Sequence, residues 1–262
     1  MTKSTMQWSG QDYHDNSSFQ YNTFISLLNS FNFKGNENIL DIGCGDGKIT
    51  AEIAKRAPNG LVLGIDNSEN MIKFARSEYQ HQLNLNFYLR DAQLFNFKNS
   101  FDLVISSFCL HWVPDKEKAF QVIYDTLKKD GVAILIMPKR NKITSDIRKN
   151  LALQNEWKHF FVDYVDPSDT VDDNAYDYYA KISGLLIKSY IAEEVTQQFQ
   201  SRAALQNFLT VITPHINRLP NDSDKKRFMD QLTEQYLEKV LLTQDCSCEL
   251  TYVCVKLIAT KE

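Results

Sequence analysis

The segment NILDIGCGDGKIT, residues 38–50, sets three glycines at alternate positions between an apolar run and the start of a helical pattern. Glycine tolerates the left-handed backbone of a tight turn and lets main chain come close to a ligand. The segment therefore reads as a strand, a ligand-facing turn and a helix. Several kinds of ligand use such a turn, so its surroundings decide which one.

Outward from this segment, short apolar runs alternate with amphipathic stretches. Residues 17–31 form a helical pattern that Ser17 or Ser18 can cap, with Phe24, Leu27, Leu28 and Phe31 at helical spacing; Lys34-Gly35-Asn36 ends it. Strands are predicted at 38–42, 61–66, 85–91, 101–107 and 132–137, and helices at 48–56, 69–79 and 115–128. The five strands read as buried on both faces, which predicts an α/β fold with a doubly wound, parallel sheet.

The pattern changes after Pro138. Residues 139–188 are rich in aromatics and read as helix plus loop, with an apolar face of Ile147, Leu151, Trp157, Phe161 and Tyr164 interrupted by Pro167. A strand is predicted at 189–199. Two helical stretches follow, one carrying Leu205, Phe208, Leu209 and Ile212, the other Met229, Leu232, Tyr236 and Val240 beyond the Leu219-Pro220 break. Residues 248–259 alternate as a final strand, expected to be antiparallel and at the sheet edge. The expected organisation is a single domain over 1–262, with a ligand-binding core at 36–138. Residues 139–187 and 203–242 are expected to form a cap over the ligand-binding edge.

Composition narrows the function. The 262 residues are 43% hydrophobic and 24% charged, as in an ordinary soluble globular chain. A formal charge of −4 and a pI near 5.8 disfavour nucleic acid or an anionic membrane as the main partner. No apolar run approaches the ~20 residues of a membrane span, and the polar start MTKSTMQWSGQDYHDN lacks a signal-peptide core. A cytoplasmic protein is expected. The cysteines, at 44, 109, 246, 248 and 254, are odd in number, and Cys246-Ser-Cys248 lacks a second ligand pair, so neither disulfides nor a metal are expected.

The acidic residues at strand ends separate the candidate ligands. Asp66 ends the second strand, where a carboxylate can accept from both hydroxyls of a ribose. A dinucleotide fingerprint places its last glycine three positions after the second; here the spacing is two, and Asp41 and Asp46 bring negative charge to the turn. That charge repels pyrophosphate and suits an ammonium and a sulfonium. No Gly-Lys-Ser/Thr ending marks a phosphate loop. Asp91, in LRDAQ, can accept from an adenine amino group while Ala92 offers its backbone N–H.

In these features the chain resembles the class I S-adenosylmethionine-dependent methyltransferases. The matching residues are the glycine turn at 38–47, Asp66, and Asp91-Ala92, within a core of roughly 36–138. The resemblance implies a Rossmann-like, seven-stranded, mostly parallel sheet with an antiparallel edge strand and a mainly helical cap. It implies S-adenosyl-L-methionine as cofactor and S-adenosyl-L-homocysteine as product. The backbone of Gly43, Cys44, Gly45 and Gly47, with Asp41, would hold the methionine portion. Asp66 and Asn67 would hold the ribose, Asp91 and Ala92 the adenine, with Tyr13 over the methionine end and Ser107 in the same set.

Three segments resemble a narrower group: YHDNSSFQ (13–20), ISSFCLHWVPDKEKAF (105–120) and FLTVITPHINRLP (208–220). They are similar to the small-molecule carboxyl methyltransferases typified by trans-aconitate and juvenile hormone acid methyltransferases and the related malonyl-acyl-carrier-protein enzymes. This likeness implies that Gln20 and Trp112 orient the carboxylate of a small-molecule or carrier-bound acid. Residues 139–187 match poorly, which leaves the acid unnamed. Other acceptors within the class are an amine, a hydroxyl or a ring carbon. Outside it stand a nicotinamide-dependent oxidoreductase, which keeps Asp66 but needs a different turn, and a non-catalytic binder of the same cofactor. His111 reads as a structural or pocket-wall residue, with a base as the alternative, His215 as part of a helix-end turn, and the aromatics of 157–179 as core of the cap. Lys139, Arg140, Lys142, Arg148 and Lys149 read as a solvated basic edge, with attraction of an acidic substrate or carrier as the alternative.

Overall fold

A computed structural model of the chain describes residues 10–29, 31–166, 175–239 and 248–262. Cys246, Pro167 and Val240, named above, lie outside the described residues. The chain divides into two compact units, one of residues 10–138, 175–193 and 254–262, the other of 139–166, 194–239 and 248–253. No helix of the described residues is long and apolar enough to cross a membrane.

The first unit is built on parallel strands β1 (Ile39–Ile42), β2 (Val62–Asp66), β3 (Leu85–Leu89), β4 (Phe101–Ser107) and β5 (Leu127–Pro138). Two longer strands, β6 (Leu186–Phe199) and β7 (Cys248–Thr260), divide their residues between the units. Sheet order is β3-β2-β1-β4-β5-β7-β6. The chain thus runs outward from β1 through β3, then returns to the other side of β1 as β4. In an open parallel sheet, ligands bind at such a reversal, beyond the carboxyl ends of the strands.

Helices α1 (Gly10–Asn16) and α2 (Ser18–Leu28) precede the sheet; α3 (Lys48–Arg56), α4 (Glu69–Glu78) and α5 (Lys116–Thr126) connect its strands. Apolar spacing explains their seating: Ala51, Ile53 and Ala54 of α3 and Phe24 and Leu28 of α2 pack with Ile39, Val62, Leu103 and Ile134 in one core. Ser68 caps α4 by accepting from the Met71 N–H, and Asp115 caps α5 by accepting from the Lys118 N–H at 2.9 Å. Ser17 precedes α2 without such a side-chain bond.

The second unit holds α6 (Lys142–Ala152), α8 (Arg202–Val211) and α9 (Asp222–Leu237); α7 (Tyr176–Ile182) belongs to the first. Its core gathers Ile147, Leu151, Trp157, Leu205, Phe208, Phe228, Leu232 and Leu250. The Trp157 indole N–H donates to Gln231 at 2.7 Å, so the ring is buried without an unsatisfied donor.

Four expectations need correction. Strand β3 is not buried on both faces: it is the outer strand, and Tyr88 and Leu89 are exposed. The last strand is antiparallel to β5, as expected, but lies between β5 and β6, so β6 forms the edge. That edge strand begins at Leu186, inside the stretch read as helix and loop. Arg148 is no part of a solvated edge: it is 6% exposed and paired with Asp166.

Candidate active site

The reversal in strand order brings two turns together, residues 43–47 after β1 and residues 108–112 after β4. Gly43, Gly45 and Gly47 have φ of 76°, 53° and 83°, a left-handed backbone that other residues rarely adopt. Space forces the choice at two of them. A Cβ on Gly43 would stand 2.1 Å from Cys109 Sγ, and one on Gly47 would stand 2.7 Å from the Phe87 ring. Gly45 is different, since its nearest neighbour would be the Tyr13 ring at 3.7 Å, leaving the turn open beneath that ring.

Backbone hydrogen bonds fix the turn. The N–H groups of Gly43 and Cys44 donate to Ile65 O at 2.8 and 2.9 Å, and that of Gly45 donates to Asp66 Oδ2 at 3.0 Å. The carboxylate expected at the ribose is therefore also the brace of the glycine turn. Its other oxygen accepts from Ser68 N–H at 2.8 Å. Burial raises the Asp66 carboxyl above its ordinary value, against the lowering effect of these donors and of the Asn67 N–H.

Asp41 lies in β1, 1% exposed, and accepts from the Thr50 hydroxyl at 2.6 Å. Burial pushes its carboxyl up to about 7; the Thr50 hydrogen bond opposes this, and the charges of Asp66 and Asp46 add to it. Asp46 is raised by burial too, opposed by its hydrogen bonds with the Lys48 N–H and His14. Asp91 accepts from the backbone and side-chain nitrogens of Gln93 through Oδ1, at 2.8 and 3.0 Å.

One cleft gathers residues from five helices and strands and from the glycine turn. Tyr13 of α1, Gln20 and Tyr21 of α2, Asp41 of β1, the turn from Gly43 to Asp46, Lys48 of α3 and Ser107 of β4 all line it. Seven of the predicted site residues meet there: Tyr13, Gln20, Asp41, Gly43, Cys44, Gly45 and Ser107. Gln20 is 6% exposed, and neither its Oε1 nor the Ser107 hydroxyl has a hydrogen-bond partner among the described residues. Gly47 sits close to Phe87 and is not among the lining residues. Asp66 ends β2 and Asn67 follows it, while Asp91 and Ala92 come after β3; none of the four is among the lining residues. Trp112 closes a 3-10 turn, Leu110–Trp112, with its ring 4.5 Å from that of the buried His111; it does not line the cleft either.

His14 and Lys48 escaped the sequence reading. His14 Nδ1 meets Asp46 Oδ2 at 2.8 Å, and Lys48 Nζ stands 5.0 Å from the centre of the Tyr21 ring. The only signal for either was adjacency, to Tyr13 in one case and to the last glycine in the other. Both Tyr13 and His14 sit on α1, ahead of the helix predicted from residue 17.

The family described as a methyltransferase domain matches residues 33–235. Protein 235L of Invertebrate iridescent virus 6, which carries a methyltransferase name, is 33% identical over 87% of this chain and 85% of its own length. Malonyl-[acyl-carrier protein] O-methyltransferase 1 of Ilyobacter polytropus is 31% identical, over 44% of this chain and 42% of that relative. The chain thus spans less than half the length of this named O-methyltransferase. Among solved structures, phosphoethanolamine N-methyltransferase 2 of Haemonchus contortus, in complex with S-adenosylhomocysteine, superposes with a TM-score of 0.57 and 21% identity. That superposition covers 92% of this chain and 52% of the other and concerns the fold alone.

Proposed function

Because the chain belongs to the methyltransferase-domain family, we propose that it moves the methyl group of S-adenosylmethionine onto a carboxylate oxygen of a small or carrier-bound acid. That it is an S-adenosylmethionine-dependent methyltransferase follows from the family; the acceptor is our reading. Its main support is Gln20, a buried amide in the same cleft as the glycine turn, with Oε1 unpartnered among the described residues. Buried polar groups are almost always hydrogen-bonded, so an orphan in a cleft calls for a ligand atom. Oε1 accepts only, but an amide can turn end for end, and with Nε2 in the place of Oε1 Gln20 donates to a carboxylate. The O-methyltransferase relative from Ilyobacter polytropus is named for an acid of this kind.

The residues present fit the cofactor. Filled-in glycines would collide with Cys109 and Phe87, which keeps the turn's inner side tight, while Gly45 leaves its outer side open below Tyr13. Asp41, with the turn backbone, would hold the methionine portion, Asp66 and Asn67 the ribose, and Asp91 and Ala92 the adenine. Bound there, the cofactor supplies a methyl group already made electrophilic by its sulfonium. What remains for the protein is to align an acceptor and exclude water. Gln20 and the Trp112 indole N–H would orient the acceptor carboxylate, which is ionised at neutral pH and needs no general base. His111 then serves as a wall against which Trp112 packs.

The test is a screen with methyl-labelled cofactor against mono- and dicarboxylic acids, followed by alkaline treatment of the product. Label released by base marks an ester and supports the reading. Label that survives base marks an amine, ether or carbon product and overturns the carboxylate assignment.

A further inference from the structure

We propose that Lys48 receives the α-carboxylate of the cofactor's amino-acid end, while Asp41 and Asp46 face its ammonium. This rests on the cofactor placement argued above and adds a binding residue to it. The amino-acid end carries both signs of charge, and each must find a partner once the cleft excludes water. Among the described residues lining the cleft, Asp41 and Asp46 supply the negative charge and Lys48 alone the positive.

Its position is fixed. Lys48 opens α3 directly after Gly47, and its ammonium lies 5.0 Å from the centre of the Tyr21 ring, another lining residue. A ring face holds a cation in place without neutralising it. The Lys48 backbone N–H is committed to Asp46 Oδ1 at 3.2 Å, so what this residue can offer a ligand is its side-chain ammonium. Independently, Gln20 Oε1, buried in the same cleft and unpartnered among the described residues, marks it as built for a polar ligand.

Calorimetric titration of two ligands tests the assignment: S-adenosylhomocysteine, and its decarboxylated analogue in which an aminopropyl group replaces the aminocarboxypropyl group. Loss of one charge-assisted hydrogen bond predicts that wild type binds the analogue about tenfold more weakly. Lys48→Met should weaken S-adenosylhomocysteine by a similar factor and leave the analogue unchanged; Lys48→Arg should recover most of the loss. Equal weakening of both ligands by Lys48→Met would overturn the proposal, because the lysine would then act on something other than the carboxylate. Unchanged affinity for S-adenosylhomocysteine, with a raised KM for the acceptor acid, would overturn it in favour of acceptor recognition. Failure of wild type to bind S-adenosylhomocysteine would overturn the cofactor placement itself. Thermal unfolding of each variant separates these outcomes from loss of fold.

Discussion

His14 Nδ1 lies 2.8 Å from Asp46 Oδ2 and ties helix α1 to the glycine turn. The same ring packs 5.4 Å from Phe74 of α4, and Gly10 sits so close to Phe74 that a Cβ would fall 2.6 Å from that side chain. The helix that carries Tyr13 over Gly45 is thus held at both ends. Removing the tie with His14→Ala is expected to cost about 1 kcal/mol, or about fivefold in affinity for S-adenosylhomocysteine. Hydrogen exchange in residues 10–16 should accelerate in the ligand-free protein. Unchanged affinity and exchange would mean that packing on Phe74 alone seats the helix.

What the sequence displays is what local physics dictates. The turn at 43–47 is readable because left-handed backbone and close approach admit glycine and little else, and the three observed φ values bear this out. The strand and helix alternation is readable because each element buries an apolar face. Features that depend on distant partners are hidden. Arg148 reads as a surface cation among lysines until Asp166 is seen at 3.0 Å from its guanidinium. Leu85–Leu89 has the apolar composition of an inner strand, yet its place at the end of the sheet exposes Tyr88 and Leu89. Helix α1 lacks an apolar stripe because it is held to the turn by His14 and Asp46 and to α4 through Phe74.

Asp41 makes cofactor binding depend on pH. Its carboxyl is pushed from an ordinary 3.8 up to about 7 by burial, with Asp66 and Asp46 adding to the rise and Thr50 opposing it. In the ligand-free protein the group is therefore protonated below neutrality, whereas a facing ammonium requires the ionised form. Binding then expels a proton, and affinity for S-adenosylhomocysteine should fall about tenfold between pH 8 and pH 6. Asp41→Asn should flatten that dependence. The effect on folding has its own sign: the raised value means that folding takes up a proton, so this group's contribution is present below pH 3.8 and is lost as pH rises toward 7. Titrations in buffers of different ionisation enthalpy would count the proton; a pH-independent affinity in wild type would remove Asp41 from the ammonium site.

The three glycines should fail in different ways. Gly43→Ala combines left-handed strain of about 1–2 kcal/mol with overpacking against Cys109 that costs about 1–3 kcal/mol. It should lower the thermal midpoint, and Gly47→Ala should do the same through Phe87 and Ala75. Gly45→Ala meets only the Tyr13 ring, so it should cost about 1–2 kcal/mol of strain alone while weakening S-adenosylhomocysteine more than the other two do. Equal stability losses at all three positions would show that close packing does not govern the turn.

Trp112 separates acceptor from cofactor. It sits on the turn after β4, outside the lining of the cofactor cleft. If its N–H orients the acceptor, Trp112→Phe keeps the ring's packing on His111 and loses one donor. Turnover should then fall about tenfold or more, with S-adenosylhomocysteine affinity unchanged. Normal turnover would take Trp112 out of the acceptor site.

In the second unit, the Arg148 guanidinium meets Asp166 Oδ2 through Nε at 3.1 Å and Nη2 at 3.0 Å, both side chains being nearly inaccessible. His215 Nδ1 stands 3.9 Å from the same oxygen, and burial, with the Arg148 charge adding to it and Asp166 opposing, pushes its pKa down to about 4. At neutral pH the arginine is therefore the carboxylate's charged partner and the imidazole is neutral. Arg148→Met takes the guanidinium away from a buried carboxylate and should cost about 3–5 kcal/mol at pH 7.5. Without the arginine's repulsion the His215 pKa rises, so protonation can supply a replacement cation. That contribution is present at low pH and lost as pH rises through the new value, so the deficit should shrink at pH 5.5. Adding Asp166→Leu should remove the buried charge that has lost its arginine and recover much of the stability at both pH values. Denaturant unfolding of the two variants against wild type measures all of this. A pH-independent deficit, together with a double variant no more stable than Arg148→Met, would show that the loss comes from packing of the arginine stem and not from its charge.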